Sequence, residues 1–221
     1  MRGIRLGQWC LIILLILTTP SWAGQAPAWR LAPDDISVSG LVPPLKFTMR
    51  DTVTDQPVTQ QEFRGKVVLL YFGYTNCPDV CPDTLYKVKT IFNLLKTDEK
   101  NVVLLFVTVD PNRDTLPILK QYLALFDPHL VGLRGNANQL YRLARRYRVV
   151  FAVHPSPDPE KYTVVHSALV YVFTPQGNAD FAISDLDLSQ HPDFQGISAD
   201  LRHAMHAKPD QGALSWLTRL D

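Results

Sequence analysis

The sequence predicts an α/β sandwich in which a mixed central sheet is flanked by helices. Three observations carry this. Two near-continuous apolar runs, 67–72 and 102–109, read as strands buried on both faces. Segments of helical periodicity alternate with them. A strand, turn and strand pattern over 168–183 closes the order with a hairpin. Buried strands separated by helices imply parallel neighbours, and the hairpin adds an antiparallel pair, which is how a thioredoxin-like sandwich reads.

Residues 45–49 look like a first strand, and Arg64-Gly65-Lys66 supplies a turn before the central run. Between the two apolar runs, Leu85, Val88, Ile91, Phe92 and Leu95 recur at helical spacing over 84–95. Leu116, Leu119, Leu123 and Phe126 mark a second helix over 115–126, with Pro117 tolerated in its first turn. A short strand over 130–133 precedes a third helix over 136–147, whose stripe of Leu140, Leu143, Ala144 and Tyr147 is expected to be core. Strands over 168–173 and 179–183 flank the turn residues Pro175-Gln176-Gly177-Asn178, and a last helix is expected over 197–206.

The 221 residues suit one domain plus targeting and linker segments, and 46% apolar content fits a chain that folds around its own core. Lys and Arg total 22 against 21 Asp and Glu, a net charge of +1, which argues against a nucleic acid as partner. The N-terminus reads as an export signal over 1–23. Arg2 and Arg5 precede an apolar core, and Ser21-Trp22-Ala23 offers small residues for cleavage. An uncleaved anchor is the alternative, although the apolar run over 9–17 is short of the roughly 20 residues a span needs. Either way the folded part is expected outside the cytoplasm, in the periplasm or on the outer face of the inner membrane. Residues 24–44, with four prolines, read as a linker, 45–206 as the compact domain and 207–221 as a tail; a monomer is the default expectation.

Of three cysteines, Cys10 lies in the signal, so Cys77 and Cys81 either pair with each other in a disulfide bond or share a ligand. A loop this short gains little from a structural disulfide, which favours chemistry. Both thiols sit between a buried strand and the next helix, at the edge where α/β sheets place ligands and where backbone N–H groups and the helix dipole favour thiolate. Three intervening residues let two sulfurs converge on one ion, and also permit a disulfide. Two thiolates form a soft site that suits Cu(I), tolerates Cu(II) and accepts Zn(II), and a third ligand is then wanted. Among His129, His154, His166, His191, His203 and His206, His166 stands out because it directly precedes the strand expected from Ser167. The other five are expected to be surface or structural, with His203 and His206 only a weak metal hint.

The run from Gly65 through Tyr71-Phe72-Gly73-Tyr74-Thr75 into Cys77-Pro78-Asp79-Val80-Cys81-Pro82 resembles the signature of the Sco/SenC family. Asp110-Pro111-Asn112-Arg113-Asp114 is similar to that family's Asp-Pro-x-Arg-Asp segment, and His166-Ser167 stands at its histidine. The likeness extends over about 45–205. It implies a thioredoxin-like fold and a copper metallochaperone that serves the binuclear copper centre of cytochrome c oxidase or another copper protein. It also implies Cys77, Cys81 and His166 as ligands for copper, Cu(I) or Cu(II). Asn76 stands where many relatives carry histidine, so a further nitrogen donor is absent. The rival activity is thiol–disulfide exchange with Cys77 and Cys81 as the catalytic pair; a peroxidase fits less well, because Thr75-Asn76-Cys77 lacks the expected Thr-x-x-Cys spacing. Asp79 and Asp83 are expected to cap and charge the helix start. For Asp110, Arg113 and Asp114, ordinary turn chemistry and a place at the rim of the site stand about even.

Overall fold

The computed structural model describes residues 31–207 except 159, 160, 185, 187, 188 and 190. The expected export signal with Cys10, the start of the expected linker and the residues beyond 207 lie outside the described residues. Among the described residues no helix is long and apolar enough to cross a membrane.

Two strands of seven residues, β4 (Val67–Gly73) and β5 (Val102–Thr108), are buried at every position and pair in parallel from Val67↔Val102 to Gly73↔Thr108. Their Val- and Leu-rich composition suits a pleated surface covered on both faces. β6 (Leu130–Arg134) extends this parallel set, and β9 (Val170–Phe173) joins β4 from the other side in antiparallel sense. With β1 (Asp35–Ser37), β2 (Thr48–Asp51), β3 (Pro57–Thr59) and β10 (Ala179–Ile183), the order is β1-β10-β9-β4-β5-β6-β2-β3. A separate ribbon pairs β7 (Phe151–His154) with β8 (Thr163–His166).

Four helices, α1 (Val80–Leu95), α2 (Leu116–Ala124), α3 (Ala137–Arg146) and α4 (Phe194–Met205), complete the sandwich. α4 packs on α1 and β4, and α2 packs on β6. The predicted stripes of α1 and α3 are the buried ones: Leu85, Val88, Ile91, Phe92 and Leu95 in α1, and Leu140, Leu143 and Ala144 in α3, with Tyr147 just beyond. In α2 only Leu119 and Leu123 are buried, Leu116 is partly so, and Phe126 lies past the helix end. Helix starts follow local chemistry. The Thr115 side chain accepts from the Ile118 N–H, and Asn136 and Gln139 form a capping box.

Three expectations need correction. The segment read as linker contributes β1, which pairs antiparallel with β10, while the Ala32 N–H donates to Asp200 Oδ2 at 2.7 Å, so the compact unit starts by residue 32. The strand expected over 45–49 begins at Thr48, because the Leu45 N–H bonds the Gly177 carbonyl and the Phe47 N–H bonds Gln60 Oε1 instead of a neighbouring strand. His166 does not lead into the sheet strand. It ends β8, where Ser167 donates its N–H to the Val150 carbonyl and closes the ribbon before β9 begins at Val170.

Candidate metal centre

β4 ends at Gly73, and the loop over 74–79 carries the chain to α1. The helix starts earlier than its apolar periodicity predicts, so Cys81 lies in its first turn and Pro82 follows it, where a missing N–H costs nothing. Asp79 occupies the N-cap position but makes no side-chain capping bond. The Cys77 sulfur stands in for it, accepting the Cys81 N–H at 3.4 Å. Cys77 is half-buried and Cys81 buried, and both are free thiols. Close approach at this spot depends on Gly73. A β-carbon there would stand 2.8 Å from the Phe106 ring and 2.9 Å from Cys81 Sγ.

From β8, His166 brings Nε2 to 3.2 Å from Cys81 Sγ. Its Nδ1 lies 3.1 Å from the Ser167 carbonyl, and since a carbonyl only accepts, Nδ1 carries a proton and Nε2 is the nitrogen that faces the sulfur. Tyr71 and Tyr74 set their rings edge-on to the imidazole at 6.2 and 5.9 Å between centroids. The donor atoms of Cys77, Cys81 and His166 all lie within 4.8 Å of one another. With bonds of about 2.3 Å to sulfur and 2.0 Å to nitrogen, one ion at a tetrahedral to trigonal angle needs about 3.5–3.7 Å between these donors. The observed 3.2 Å therefore has to open by only a few tenths of an ångström.

The ribbon carrying His166 is fastened by two loops. The Tyr74 hydroxyl accepts the Val164 N–H at 3.2 Å. After β5, the Arg113 guanidinium lies 3.6 Å over the Tyr162 ring and donates to the Tyr162 carbonyl at 3.0 Å. Asp110, itself buried, takes a hydrogen bond from Arg113 Nε and another from the Tyr162 hydroxyl at 2.7 Å. Asp114 is fully buried. It accepts from the Thr75 N–H at 3.1 Å, from the Thr75 hydroxyl and from the Thr108 hydroxyl at 2.6 Å, tying the cysteine loop to the end of β5. The Asp-Pro-Asn-Arg-Asp segment is thus both a turn after a strand and the frame of the site.

Electrostatics separates the two thiols. The Cys81 thiol donating to it, the His166 ring, and the N–H groups of Cys81 and Asp79 pull Cys77 down to about 3 against the effect of burial. Cys81 moves up, because it shares its proton with Cys77 and is more deeply buried. The pair is thus biased towards a thiolate on Cys77 beside a thiol on Cys81, with the His166 ring opposite. That set can hold a soft cation or perform thiol–disulfide chemistry.

The other sequence candidates scatter. Asn76 is exposed, its side-chain amide 3.2 Å from the Thr75 hydroxyl. Asp83 pairs with Lys87 at 2.7 Å in the first turns of α1. His154 ends β7 opposite Thr163, out of phase with His166, and His129 lies at the far end of β6. His203 and His206 join no cluster of three metal-ligating side chains among the described residues. Tyr74 and Tyr162 were missed as site residues. Their signal was faint, an aromatic beside each ligand-bearing segment, and only the fold brings them to Val164 and Arg113.

Comparison with known proteins gives consistent matches. The SCO1/SenC family model matches residues 45–197. A mitochondrial SCO2 homolog of Bos taurus is 42% identical over 118 residues, covering 52% of this chain and 44% of that protein. The chain thus spans about half the length of the mitochondrial relatives it matches first. An SCO2-like protein of Rickettsia prowazekii (strain Madrid E) is 33% identical over 178 residues, covering 79% of this chain and 82% of that protein. Among solved structures, copper-bound ScoI of Bradyrhizobium japonicum superposes with TM-score 0.64 at 33% identity, covering 74% of this chain and 99% of that one. Copper-bound yeast Sco1 superposes with TM-score 0.69 at 29% identity, covering 81% and 99%.

Proposed function

The chain belongs to the SCO1/SenC family, and on that premise we propose that it is an exported copper metallochaperone that carries one copper on Cys77, Cys81 and His166 and hands it to the copper-accepting subunit of cytochrome c oxidase. The observation that carries this reading is the convergence of two sulfurs and one imidazole nitrogen within 4.8 Å at the carboxyl end of β4. The copper-bound forms of the bacterial and yeast relatives support copper as the cargo. Sulfur and imidazole donors favour Cu(I) and tolerate Cu(II), and three donors leave room for an incoming ligand. Transfer proceeds by stepwise replacement: an acceptor thiolate or imidazole takes the open position, and the chain's own ligands leave in turn. Half-buried Cys77 and His166 are reachable for that exchange, while buried Cys81 holds the ion until last. An N-terminal signal over 1–23, cleaved or kept as an anchor, places the domain in the periplasm.

Anaerobic Cu(I) titration against a competing chelator tests the assignment. The wild-type chain is expected to hold one tight equivalent, His166→Ala to hold it more weakly, and Cys77→Ala or Cys81→Ala to lose it. Undiminished binding by all three variants overturns the ligand set.

The unequal thiols favour one second reading, thiol–disulfide exchange. Half-buried Cys77, held as thiolate, has the character of an attacking sulfur, and buried Cys81 that of the resolving one. That reading expects Cys81→Ser to trap a partner through Cys77 and His166→Ala to keep most exchange activity. If neither occurs, it fails.

A further inference from the structure

At the opposite end of the sheet, Glu99, Asp127 and His129 bring one ligand atom each to within 4.8 Å of one another. Glu99 lies in the short 3-10 segment Lys96–Asn101 that leads into β5, and Asp127 and His129 lie in the turn that leads into β6. These are the starts of strands whose far ends face the cysteine loop. β5 alone is seven residues, or about 20 Å at roughly 3.3 Å per residue, so this cluster cannot share an ion with Cys77 and Cys81.

His129 Nδ1 stands 2.9 Å from Asp127 Oδ1 and 3.1 Å from Glu99 Oε1. Donors bound at about 2.0–2.2 Å to one first-row ion are about 3.0 Å apart at right angles and about 3.4 Å apart at a tetrahedral angle. The nitrogen already sits at such a separation from both oxygens. The Asp127 carboxylate is also fixed, since Oδ1 accepts the His129 N–H at 2.7 Å.

Charge points to a cation independently of that spacing. Among the described residues, neither carboxylate has a Lys or Arg nitrogen within 4.0 Å; their ionic partner is the His129 ring alone. Nearby Arg202 is engaged by Asp98 and the Leu94 carbonyl. Two carboxylates facing one imidazole carry two negative charges when the ring is neutral. A proton on the ring removes one of them, and a divalent ion removes both. Asp127 is buried, where such an imbalance costs most.

We propose that Glu99, Asp127 and His129 form a second metal site, for a divalent first-row transition ion, separate from the thiolate centre. One imidazole and two carboxylates are borderline-to-hard donors. They suit Cu(II) or Zn(II), with Cu(II) the tighter, and give little to Cu(I). The two ends of the sheet then differ in the oxidation state they select.

The test uses the full chain with Cys10→Ser, Cys77→Ser, Cys81→Ser and His166→Ala, so the thiolate centre is silent and the outcome is independent of the proposed function. Cu(II) is titrated in competition with glycine and followed by electron paramagnetic resonance. The expected result is one equivalent with a single-nitrogen signature, weakened about tenfold or more by His129→Gln or Glu99→Gln, the scale on which even supporting residues of metal sites act. His203→Gln is expected to change nothing. Equal affinity with and without His129 and Glu99, or no Cu(II) held against glycine, overturns the site. If the multiple variant does not fold, the wild-type chain loaded with one Cu(I) is titrated with Zn(II), and the His129 ring resonances must move at one equivalent.

Discussion

Replacing Gly73 with alanine probes how closely the backbone approaches the Cys81 sulfur, one of the proposed copper ligands. The added carbon would sit 2.8 Å from Cε2 and Cζ of Phe106 and 2.9 Å from Cys81 Sγ, whereas unstrained contacts fall at roughly 3.5–4.0 Å. Phe106 and Cys81 are both fully buried, so relief of about 0.7 Å or more has to come from the core itself. Overpacking of this kind costs about 1–3 kcal/mol. With a urea slope near 2 kcal/mol per molar, the unfolding midpoint falls by about 0.5–1.5 M. The same displacement moves Cys81 Sγ relative to His166 Nε2, so Cu(I) affinity should fall together with stability. Paired urea melts and chelator-competition titrations on wild type and Gly73→Ala measure both. An unchanged midpoint with unchanged affinity would falsify the claim that this glycine is what lets the sulfur in.

Arg113→Ala removes the cation–π contact and the hydrogen bond that hold Tyr162, a loss of about 1–3 kcal/mol at a mostly buried side chain. Cu(I) affinity should drop through His166 while the Cys77 and Cys81 thiols keep their reactivity; equal loss of thiol reactivity would show instead a general unfolding. Asp114→Ala leaves the Thr75 N–H and the Thr108 hydroxyl unpaired, at about 1–3 kcal/mol for each group left unsatisfied, and is expected to loosen the cysteine loop. Proteolysis within 74–79 reads this out, and no gain in cleavage counts against it. Burial first, then the neighbouring Asp200 carboxylate, pushes Asp35 up to about 9, against about 3.9 in the unfolded chain. Between those values the native state holds a proton that the unfolded state lacks, so this contribution to stability is lost as pH rises from about 4 towards 9. The slope is at most about 1.4 kcal/mol per pH unit. Asp35→Asn should therefore gain on wild type as pH rises, and melting curves that stay parallel from pH 5 to 8 would contradict it.

What the sequence made legible divides along a physical line. β4 and β5 announce themselves because burial on both faces leaves no polar position to blur the pattern, and α3 because its apolar stripe is the face it buries. The β7–β8 ribbon does not, since Ala152, Val153, His154 and Val165 are all exposed and follow no buried alternation. The expectation that His166 leads into a sheet strand therefore fails, and the residue ends the ribbon instead. β1 was hidden by the prolines around it; it is an edge strand whose pairing with β10 depends on a partner about 145 residues away, beyond any local signal. The frame around the site was half legible. Asp110, Arg113 and Asp114 stood out as a group, but the clamp exists only once Tyr162, 49 positions from Arg113, is folded back over it.

This division bears on how a cargo would leave. Cys81 is fixed in the first turn of a helix packed on the core, and Cys77 is tethered to it by an N–H···S bond, so neither sulfur moves far without disturbing that core. His166 sits at the end of a two-stranded ribbon outside the eight-stranded sheet, fastened by Tyr74, Arg113 and Asp110 through a few polar contacts. Two-stranded ribbons are marginal by themselves, and segments with few buried contacts open at lower free energy than core strands. On the proposed ligand set, the imidazole is thus the donor that local opening would release, leaving the ion on two sulfurs and exposed on one side to an acceptor. Amide hydrogen exchange checks this order of events: residues 151–154 and 163–166 should exchange faster than 67–73 in the apo chain, and Cu(I) should slow the ribbon more than β4. Equal protection of ribbon and β4 in the apo chain would mean that His166 is as fixed as the thiols, and release would then have to begin at half-buried Cys77.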